Sequence, residues 1–264
     1  MKGYFDDTSA IRRISRESVL MLGGPRALLM QAAHPLVAAG IVDHSAYRTD
    51  PWRRLARTMA ALYTIVFGTR AQADRVGVLT QQAHLRVRGE RDGIAYAASD
   101  PGLMLWVHST LVDTGLSMYE TYVGPVPATL AEEFYAQMQV VGTVFGVPSE
   151  VHPPTLAEFR AYQRQMLATE VRVGADALAV AEMVLAPPVP AALRPPLRAL
   201  ALQSAFNLPD ELREQYGISR RAVDRAAFVV GARSLRRLVP LMPPPLRRTE
   251  RLPLRLLTAV AGLR

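Results

Sequence analysis

Apolar residues along this chain recur at every third or fourth position, and runs in which apolar and polar residues alternate over five or more positions are rare. A spacing of three or four places the apolar side chains on one face of an α-helix, whereas a half-buried β-strand requires strict alternation. The pattern therefore predicts an all-α protein. With 264 residues, the chain can bury a core large enough to enclose a small molecule.

Helix boundaries are marked by turn-forming residues. An aspartate followed by a proline, a favoured N-cap and first position, occurs at Asp50-Pro51 and Asp100-Pro101. The predicted helices cover residues 9–21, 27–42 with a break near Pro35, 51–67, 71–87, 101–122, 127–144 and 155–170, then short helices over 195–206, 209–216, 220–238 and 252–263. Proline clusters interrupt the chain after residue 186. We therefore expect a single domain over residues 1–264 with a proline-rich, irregular C-terminal helical layer.

Composition excludes several classes of site. The chain contains no cysteine, which excludes disulfides, cysteine-ligated zinc and iron–sulfur clusters, and thiolate-ligated haem. The most apolar stretch, residues 27–42, is too short to span a membrane and contains Gln31 and His34. Asp6 and Asp7 lie where the apolar run of a signal peptide would begin. We expect a cytoplasmic protein.

The positive charge is concentrated at the C-terminus. Residues 233–264 contain eight arginines and one acidic residue, Glu250, and so account for nearly all of the net charge of +8. The chain has no basic stretch interleaved with aromatic residues, so we do not expect it to bind nucleic acid. Arg251 and Arg255 lie one helical turn apart, opposite an apolar stripe. Residues 247–264 either rest on the inner face of an anionic membrane or pack on the core with their arginines in water.

One helix carries a polar group of residues beside its apolar stripe. Arg54, Arg57 and Thr58 are spaced three and four apart and so share a face of the helix that begins at Pro51. An inward-facing guanidinium needs an anionic partner, because a buried unpaired charge costs several kcal/mol. That partner is either a protein carboxylate near the start of the helix, at Asp43 or Asp50, or the carboxylate of a bound ligand.

The five histidines differ in their surroundings. His84 lies beside an apolar helical stripe and is either a metal ligand or a core or surface histidine. We expect a structural role for His34 at the helix break, and His44 to anchor a polar loop to Asp50. His108 is expected to be buried beside a pocket, and His152 to be exposed in a loop. No histidine has a histidine or glutamate at the spacing used by dinuclear sites in helix bundles.

A series of short motifs occurs in a particular order along the chain. In sequence order they are Gly24-Pro25-Arg26 through His34-Pro35, His44-Ser45, Asp50-Pro51, Arg54-Leu55-x-Arg57-Thr58, Phe67-Gly68, His84-x-x-Val87-x-Gly89, Tyr96-x-Ala98-x-Asp100-Pro101, Trp106-Val107-His108 and Leu208-Pro209-x-x-Leu212-Arg213-x-x-Tyr216-Gly217. Each motif alone is weak, but their order and spacing resemble the rubber oxygenase (latex clearing protein) and MpaB-like oxygenase family. The resemblance extends over roughly residues 16–255.

The resemblance implies a globin-like helical fold around haem b, with the iron held by His84. It places Arg54 and Thr58 near the haem, with Arg57 as a weaker candidate. It also implies a reaction with O₂ on a hydrophobic substrate, such as oxidative cleavage of an isoprenoid double bond. These parts suit a haem, which needs a neutral imidazole, an apolar pocket and cations for its propionates. If His84 is not the ligand, His108 and then His34 are the substitutes.

The chain departs from the resemblance at one position. Some rubber oxygenases have a lysine that can occupy the sixth iron site where this chain has Arg57. A guanidinium does not deprotonate in proteins, so this closed form is not expected here. From a different functional class, the alternative is a non-catalytic helical protein that binds haem or a lipid in the same pocket.

Overall fold

A computed structural model describes residues 2–44, 51–186, 194–218 and 221–251, with the backbone alone at 51–55, 194–198, 200 and 251. Within these ranges the chain forms thirteen α-helices and one two-stranded hairpin, which confirms the predicted all-α class. None of the described helices is long and apolar enough to cross a membrane. The helix predicted over 252–263 lies outside the described residues.

The helices, in chain order, are α1 (Ala10–Ser15), α2 (Gly24–Ala32), α3 (Pro35–His44), α4 (Pro51–Phe67), α5 (Arg70–His84), α6 (Pro101–Tyr122), α7 (Ala128–Phe145), α8 (Leu156–Thr169), α9 (Ala175–Leu185), α10 (Arg194–Phe206), α11 (Asp210–Gln215), α12 (Ala222–Leu238) and α13 (Pro244–Arg247). Most of the predicted helices are present, with bounds that differ by at most three residues. Helix α9 was not predicted, because its apolar residues surround the whole helix and show no helical stripe.

The predicted helix break at Pro35 is confirmed. Helix α2 ends at Ala32 and α3 begins at Pro35, since a proline lacks the N–H that would continue the helical hydrogen bonds. The carbonyl of Ala33 accepts instead from the backbone N–H of Arg172 at 2.9 Å. The break therefore also fixes the loop between α8 and α9 against the end of α2.

The prediction of one continuous helix over residues 9–21 is wrong, because the structure has two shorter segments there. Helix α1 ends at Ser15, and a 3₁₀ helix follows over Ser18–Gly23. Between them Glu17 is extended and buried, and its carboxylate pairs with Arg247 through contacts of 2.9 and 3.0 Å. If Glu17 were helical, it would lose this extended conformation. The ion pair with Arg247, near the other end of the chain, therefore goes together with the break between α1 and the 3₁₀ helix.

The predicted helix over residues 71–87 ends early, at His84. The chain then forms β1 (Arg88–Arg91) and β2 (Ile94–Ala97), an antiparallel pair with Arg88 opposite Ala97. Asp92 and Gly93 both have positive φ, 54° and 78°, as a two-residue hairpin turn of the I′ type requires. The Asp92-Gly93 pair is typical of such a turn. The hairpin was nevertheless not predicted, because its strands are too short to show the alternation of apolar and polar residues that marks a strand.

Helix α6 lies at the centre of the packing. Its Trp106 belongs to a core cluster with α2, α3 and α9, while Val112 packs in a second cluster with α1, α4 and α7. Further along, Met118 and Tyr122 pack against α12. All other layers are therefore built around this one helix.

Arg26 joins α2 to α6 inside the core. Only 3% of its surface is exposed, and its guanidinium donates to Asp113 Oδ2 at 2.6 Å, to Thr114 Oγ1 at 2.7 Å and to the carbonyl of Asn207 at 2.8 Å. A buried guanidinium is stable only when its N–H groups are paired in this way. The network therefore fixes how α2, α6 and the end of α10 lie relative to one another.

Replacing Arg26 by methionine should destabilise the fold strongly. Arg26→Met leaves Asp113 and the carbonyl of Asn207 without their donor, which should lower the free energy of unfolding by about 3 kcal/mol in urea denaturation. Asp210→Asn, which breaks an exposed ion pair with Arg213, is the control and should cost under about 1 kcal/mol. Equal stability of the two variants would show that the buried network contributes little.

Candidate functional site

The candidate site lies at the open end of a helical hairpin. Helices α4 and α5 are packed together and joined by only Gly68 and Thr69, so they run antiparallel. Thr69 caps α5 in a reciprocal arrangement with Gln72, which fixes the start of that helix. At 1.5 Å per residue, positions equally distant from the turn lie side by side. His84 is therefore level with the first turn of α4, which contains Arg54, while Arg57 and Thr58 lie about one turn closer to the connection.

His84 continues the inward-facing side of α5. Ala73 and Gly77 on this side are buried, and a Cβ at Gly77 would lie 2.5 Å from the carbonyl oxygen of Val144 on α7. Helix α7 ends at Phe145, whereas α5 continues for two more turns to His84. The imidazole thus projects beyond the end of α7, where it is half-buried rather than enclosed by the core.

The ring of His84 has the chemistry of a ligand. Burial lowers the pKa of His84, so the imidazole is neutral at pH 7. Its Nδ1 atom is buried and has no hydrogen-bond partner in the described part of the chain. A buried nitrogen without a partner is energetically unfavourable, and bonding to a metal would remove this cost. This orphaned atom fits a histidine that serves as an axial ligand.

The other predicted site residues lie on the facing helix. Arg57 and Thr58 are exposed, and Thr58 already interacts with another group of the protein. The backbone of Arg54 belongs to α4, but its side chain lies outside the described residues. Of its two candidate protein partners, Asp43 accepts from Arg91 at 2.7 Å and from Tyr96 at 2.6 Å, and Asp50 is not described.

Exposed apolar side chains lie close to His84 in the sequence. Val78 on α5 and Leu85 directly after the helix are seven residues apart, and both are exposed. Ile94, in the hairpin that follows α5, is exposed as well. Large apolar side chains in water are a common mark of a binding surface when they lie together. The polar residues of the site are thus accompanied by side chains suited to an apolar ligand.

His44 does not have the predicted surroundings, whereas His34 does. His44 was predicted to lie in a polar loop, but it is the last residue of α3, and its Nε2 lies 3.0 Å from the carbonyl oxygen of Arg88. It therefore contacts the β-hairpin, and its predicted partner Asp50 is outside the described residues. His34 is buried at the start of α3, in agreement with a place at the helix break.

The prediction that His152 is exposed is wrong. Only 9% of its surface is accessible, and its ring lies edge-on to that of His108 with a centroid separation of 5.5 Å. The carbonyl of Pro153 accepts hydrogen bonds from the Tyr135 hydroxyl and from Gln139 at 2.8 Å, which hold the loop against α7. Two prolines after a histidine indicate a loop in the sequence, but not which surface the loop covers.

His108 is enclosed too tightly for a large ligand. A Cβ placed at Gly142 would be 3.0 Å from Cδ2 of His108 and 2.7 Å from Cε1 of His152. Burial lowers the pKa of His108 to about 3, so the ring is neutral and forms part of the core. His84, at the open end of the hairpin, is the better placed of the candidate ligands.

A separate pocket of about 180 Å³ contains none of the predicted site residues. It lies between α6 and α8 and includes Trp106, Arg160 and Arg164 in its lining. The sequence gives no sign of this pocket, since its walls come from segments more than forty residues apart. No group of three or more histidine, aspartate or glutamate side chains with the arrangement of a metal site occurs within the described ranges.

The buried histidines should make the protein less stable in acid. The pKa of His108 is about 3 in the folded chain against an ordinary value of about 6.5, so below pH 6.5 the unfolded chain binds the proton first. His108 should therefore cost no stability above pH 6.5 and lower the free energy of unfolding by about 2 kcal/mol at pH 5.

Urea denaturation at pH 7.5 and pH 5 measures this effect. The loss between the two pH values should be about 2 kcal/mol smaller in His108→Gln than in the wild type. His44→Gln, at the exposed end of α3, serves as the control and should keep the wild-type difference. An unchanged difference in His108→Gln would mean that His108 is protonated in the folded chain.

Comparison with known proteins agrees with the family that the order of the motifs indicates. Residues 11–258 match the family described as "ER-bound oxygenase mpaB/B'/Rubber oxygenase, catalytic domain". No curated protein and no solved structure gives a significant match. The match extends over nearly the whole chain and includes every helix from α2 to α13. This chain therefore belongs to the mpaB and rubber oxygenase family, through its catalytic domain.

Proposed function

We propose that this protein is a haem b-dependent oxygenase that uses O₂ on a hydrophobic, unsaturated isoprenoid substrate. The reaction would be oxidative cleavage of a double bond or a related oxygenation. The observation that carries the proposal is the position of His84, a neutral imidazole with an orphaned nitrogen, at the end of the hairpin where the first two turns of α4 contain Arg54, Arg57 and Thr58. Membership of an oxygenase family supports the use of O₂.

The residues present fit a haem. His84 would hold the iron through a ring nitrogen that has no partner within the described residues. Arg54 and Arg57 supply positive charge for two propionates, and guanidinium groups bind carboxylates through paired hydrogen bonds. Bound haem would supply the iron at which O₂ is activated. We also propose that residues 1–264 act as one domain, since α6 packs against elements from both ends of the chain.

The remaining side chains position the reactants. Thr58, one turn from Arg54 on α4, would place its hydroxyl near a propionate or a water beside the haem. A guanidinium keeps its charge in proteins, so Arg57 would act as a cation for a propionate and not as a ligand of the iron. Val78, Leu85 and Ile94 supply the apolar contacts for an isoprenoid chain, and such contacts also exclude water from the reacting groups.

The His84→Ala variant tests the ligand. Because the iron would lose its protein ligand, the Soret band of protein purified from haem-supplemented cells should disappear while the helical circular dichroism is unchanged. His44→Ala, which removes an exposed imidazole on α3, should retain the band and about one haem per chain by pyridine haemochrome. Full haem occupancy in His84→Ala would exclude His84 as the axial ligand.

The Arg54→Ala variant tests the anion partner. Loss of a charge-assisted hydrogen bond to a propionate should weaken haem retention roughly tenfold in transfer to apomyoglobin, without a change in helical content. The control Arg75→Ala removes an exposed arginine from the outer face of α5 and should have no effect. Haem retention equal to wild type in Arg54→Ala would mean that this residue is only a surface charge.

Catalysis is tested separately from binding. The haem-loaded protein, incubated with unsaturated polyprenyl compounds, should consume O₂ and form carbonyl products detectable by mass spectrometry. A protein that binds haem stoichiometrically but gives no O₂-dependent product with any isoprenoid would instead be a haem carrier. A protein that stays colourless after reconstitution would contradict the haem assignment as a whole.

A further inference from the structure

Helix α12 has apolar residues on two opposite faces. On its inner face Phe228, Ala232 and Leu235 pack against α6 and α10, together with Val239 just after the helix. An amphipathic helix of a globular protein normally turns its other face to water with polar side chains. On the outer face of α12, Val223 and Val230 stand among alanines and arginines, so packing against the core does not cover all of the large apolar side chains of the helix.

The exposed apolar residues form a strip that is interrupted by Ser234 and Arg237. Val223 and Val230, seven residues apart, are 60% and 62% exposed, and between them the outward positions 226 and 227 are alanines. Leu238, the last residue of the helix, and Leu241, just after it, continue the strip and are 55% and 78% exposed. The helix alone is about 25 Å long. Large apolar side chains in such a row are costly in water unless something covers them.

Positive charge flanks the strip on one side. Arg233 and Arg237 lie one turn apart, both are exposed, and neither forms an ion pair with another described residue. The single acidic residue of the helix, Asp224, already has an interaction. The strip therefore offers apolar side chains and guanidinium groups together, with no carboxylate beside them to neutralise the charge.

The arginines that follow α12 are used differently. Arg247 pairs with the buried carboxylate of Glu17, and Arg248 lies 3.7 Å from Glu250. These charges of the basic C-terminal region therefore stabilise the fold. The side chains from residue 251 onward lie outside the described residues. Among the described basic side chains of this region, Arg233 and Arg237 on α12 form no such pair.

We infer that the outer face of α12, formed by Val223, Val230, Leu238 and Leu241 with Arg233 and Arg237, is a docking surface for an anionic lipid bilayer. An interfacial helix buries its apolar face at the boundary of headgroups and acyl chains while its arginines bind lipid phosphates. A second copy of the chain fits less well, because a symmetric pair would bring unpaired arginines together without carboxylates between them.

The inference does not depend on haem, and vesicle co-sedimentation of the full chain tests it. The wild type should bind vesicles that contain phosphatidylglycerol more tightly than vesicles of phosphatidylcholine alone. Each arginine near an anionic surface contributes roughly fivefold to binding, so Arg233→Gln/Arg237→Gln should lower the partition coefficient about thirtyfold. Val223→Asp/Val230→Asp should lower it by at least about tenfold, because it replaces buried apolar surface with charge.

Matched variants on other faces serve as controls. Arg160→Gln/Arg164→Gln removes two exposed arginines with the same spacing from α8, and Leu178→Asp places a charge on an exposed apolar position of α9. Both should bind vesicles as the wild type does. Circular dichroism and haem content, measured on every variant, separate a loss of docking from a loss of folding or of the proposed cofactor.

Three results would overturn the inference. The wild type could fail to prefer anionic vesicles, or the α12 variants could bind them as the wild type does. Deletion of residues 252–264 could abolish binding while the α12 variants bind normally, which would assign docking to that segment. Finally, sedimentation velocity could show a wild-type dimer that Val223→Asp/Val230→Asp converts to a monomer, which would make this face an interface between copies.

Discussion

The structure depends on one constraint, which is that helix α6 is buried around nearly its whole circumference. A helix that is apolar on every side must be covered on every side, and the helices before and after it in the chain provide this cover. Its polar side chains must also find partners inside the core. Thr110 accepts from Gln31 at 3.1 Å, and Thr114 accepts from Arg26 at 2.7 Å. These contacts fix the position of α2 beside α6.

The candidate site follows from a simpler constraint on the neighbouring hairpin. Helices α4 and α5 pack together and are joined by only two residues, so they run antiparallel and bring the beginning of α4 towards the end of α5. Because α7 ends before His84, the imidazole is half-buried at the edge of the core. The core thus supplies a rigid support, and under the proposed function a planar cofactor and an apolar substrate would bind at its edge.

Two surfaces suit the same kind of chemistry. An oxygenase that acts on isoprenoids needs a source of substrate that is poorly soluble in water, and a bilayer can hold such a substrate. The apolar strip of α12 would keep the protein at that source, while Leu85 and Ile94 would contact the substrate at the site. Docking and catalysis would then use the same physical preference, the removal of apolar surface from water.

Caps, prolines and apolar spacing act over a few residues, and they were enough to predict the helical class, most helix bounds and the break at Pro35. The motif residues also indicated the family. Features that join distant segments could be seen only in the folded chain. The Glu17–Arg247 pair, the burial of His152 against His108, and the exposure of Val230 on the outer face of α12 are examples. Local patterns state which side chains are apolar or charged, but only packing determines which of them meet and which remain in water.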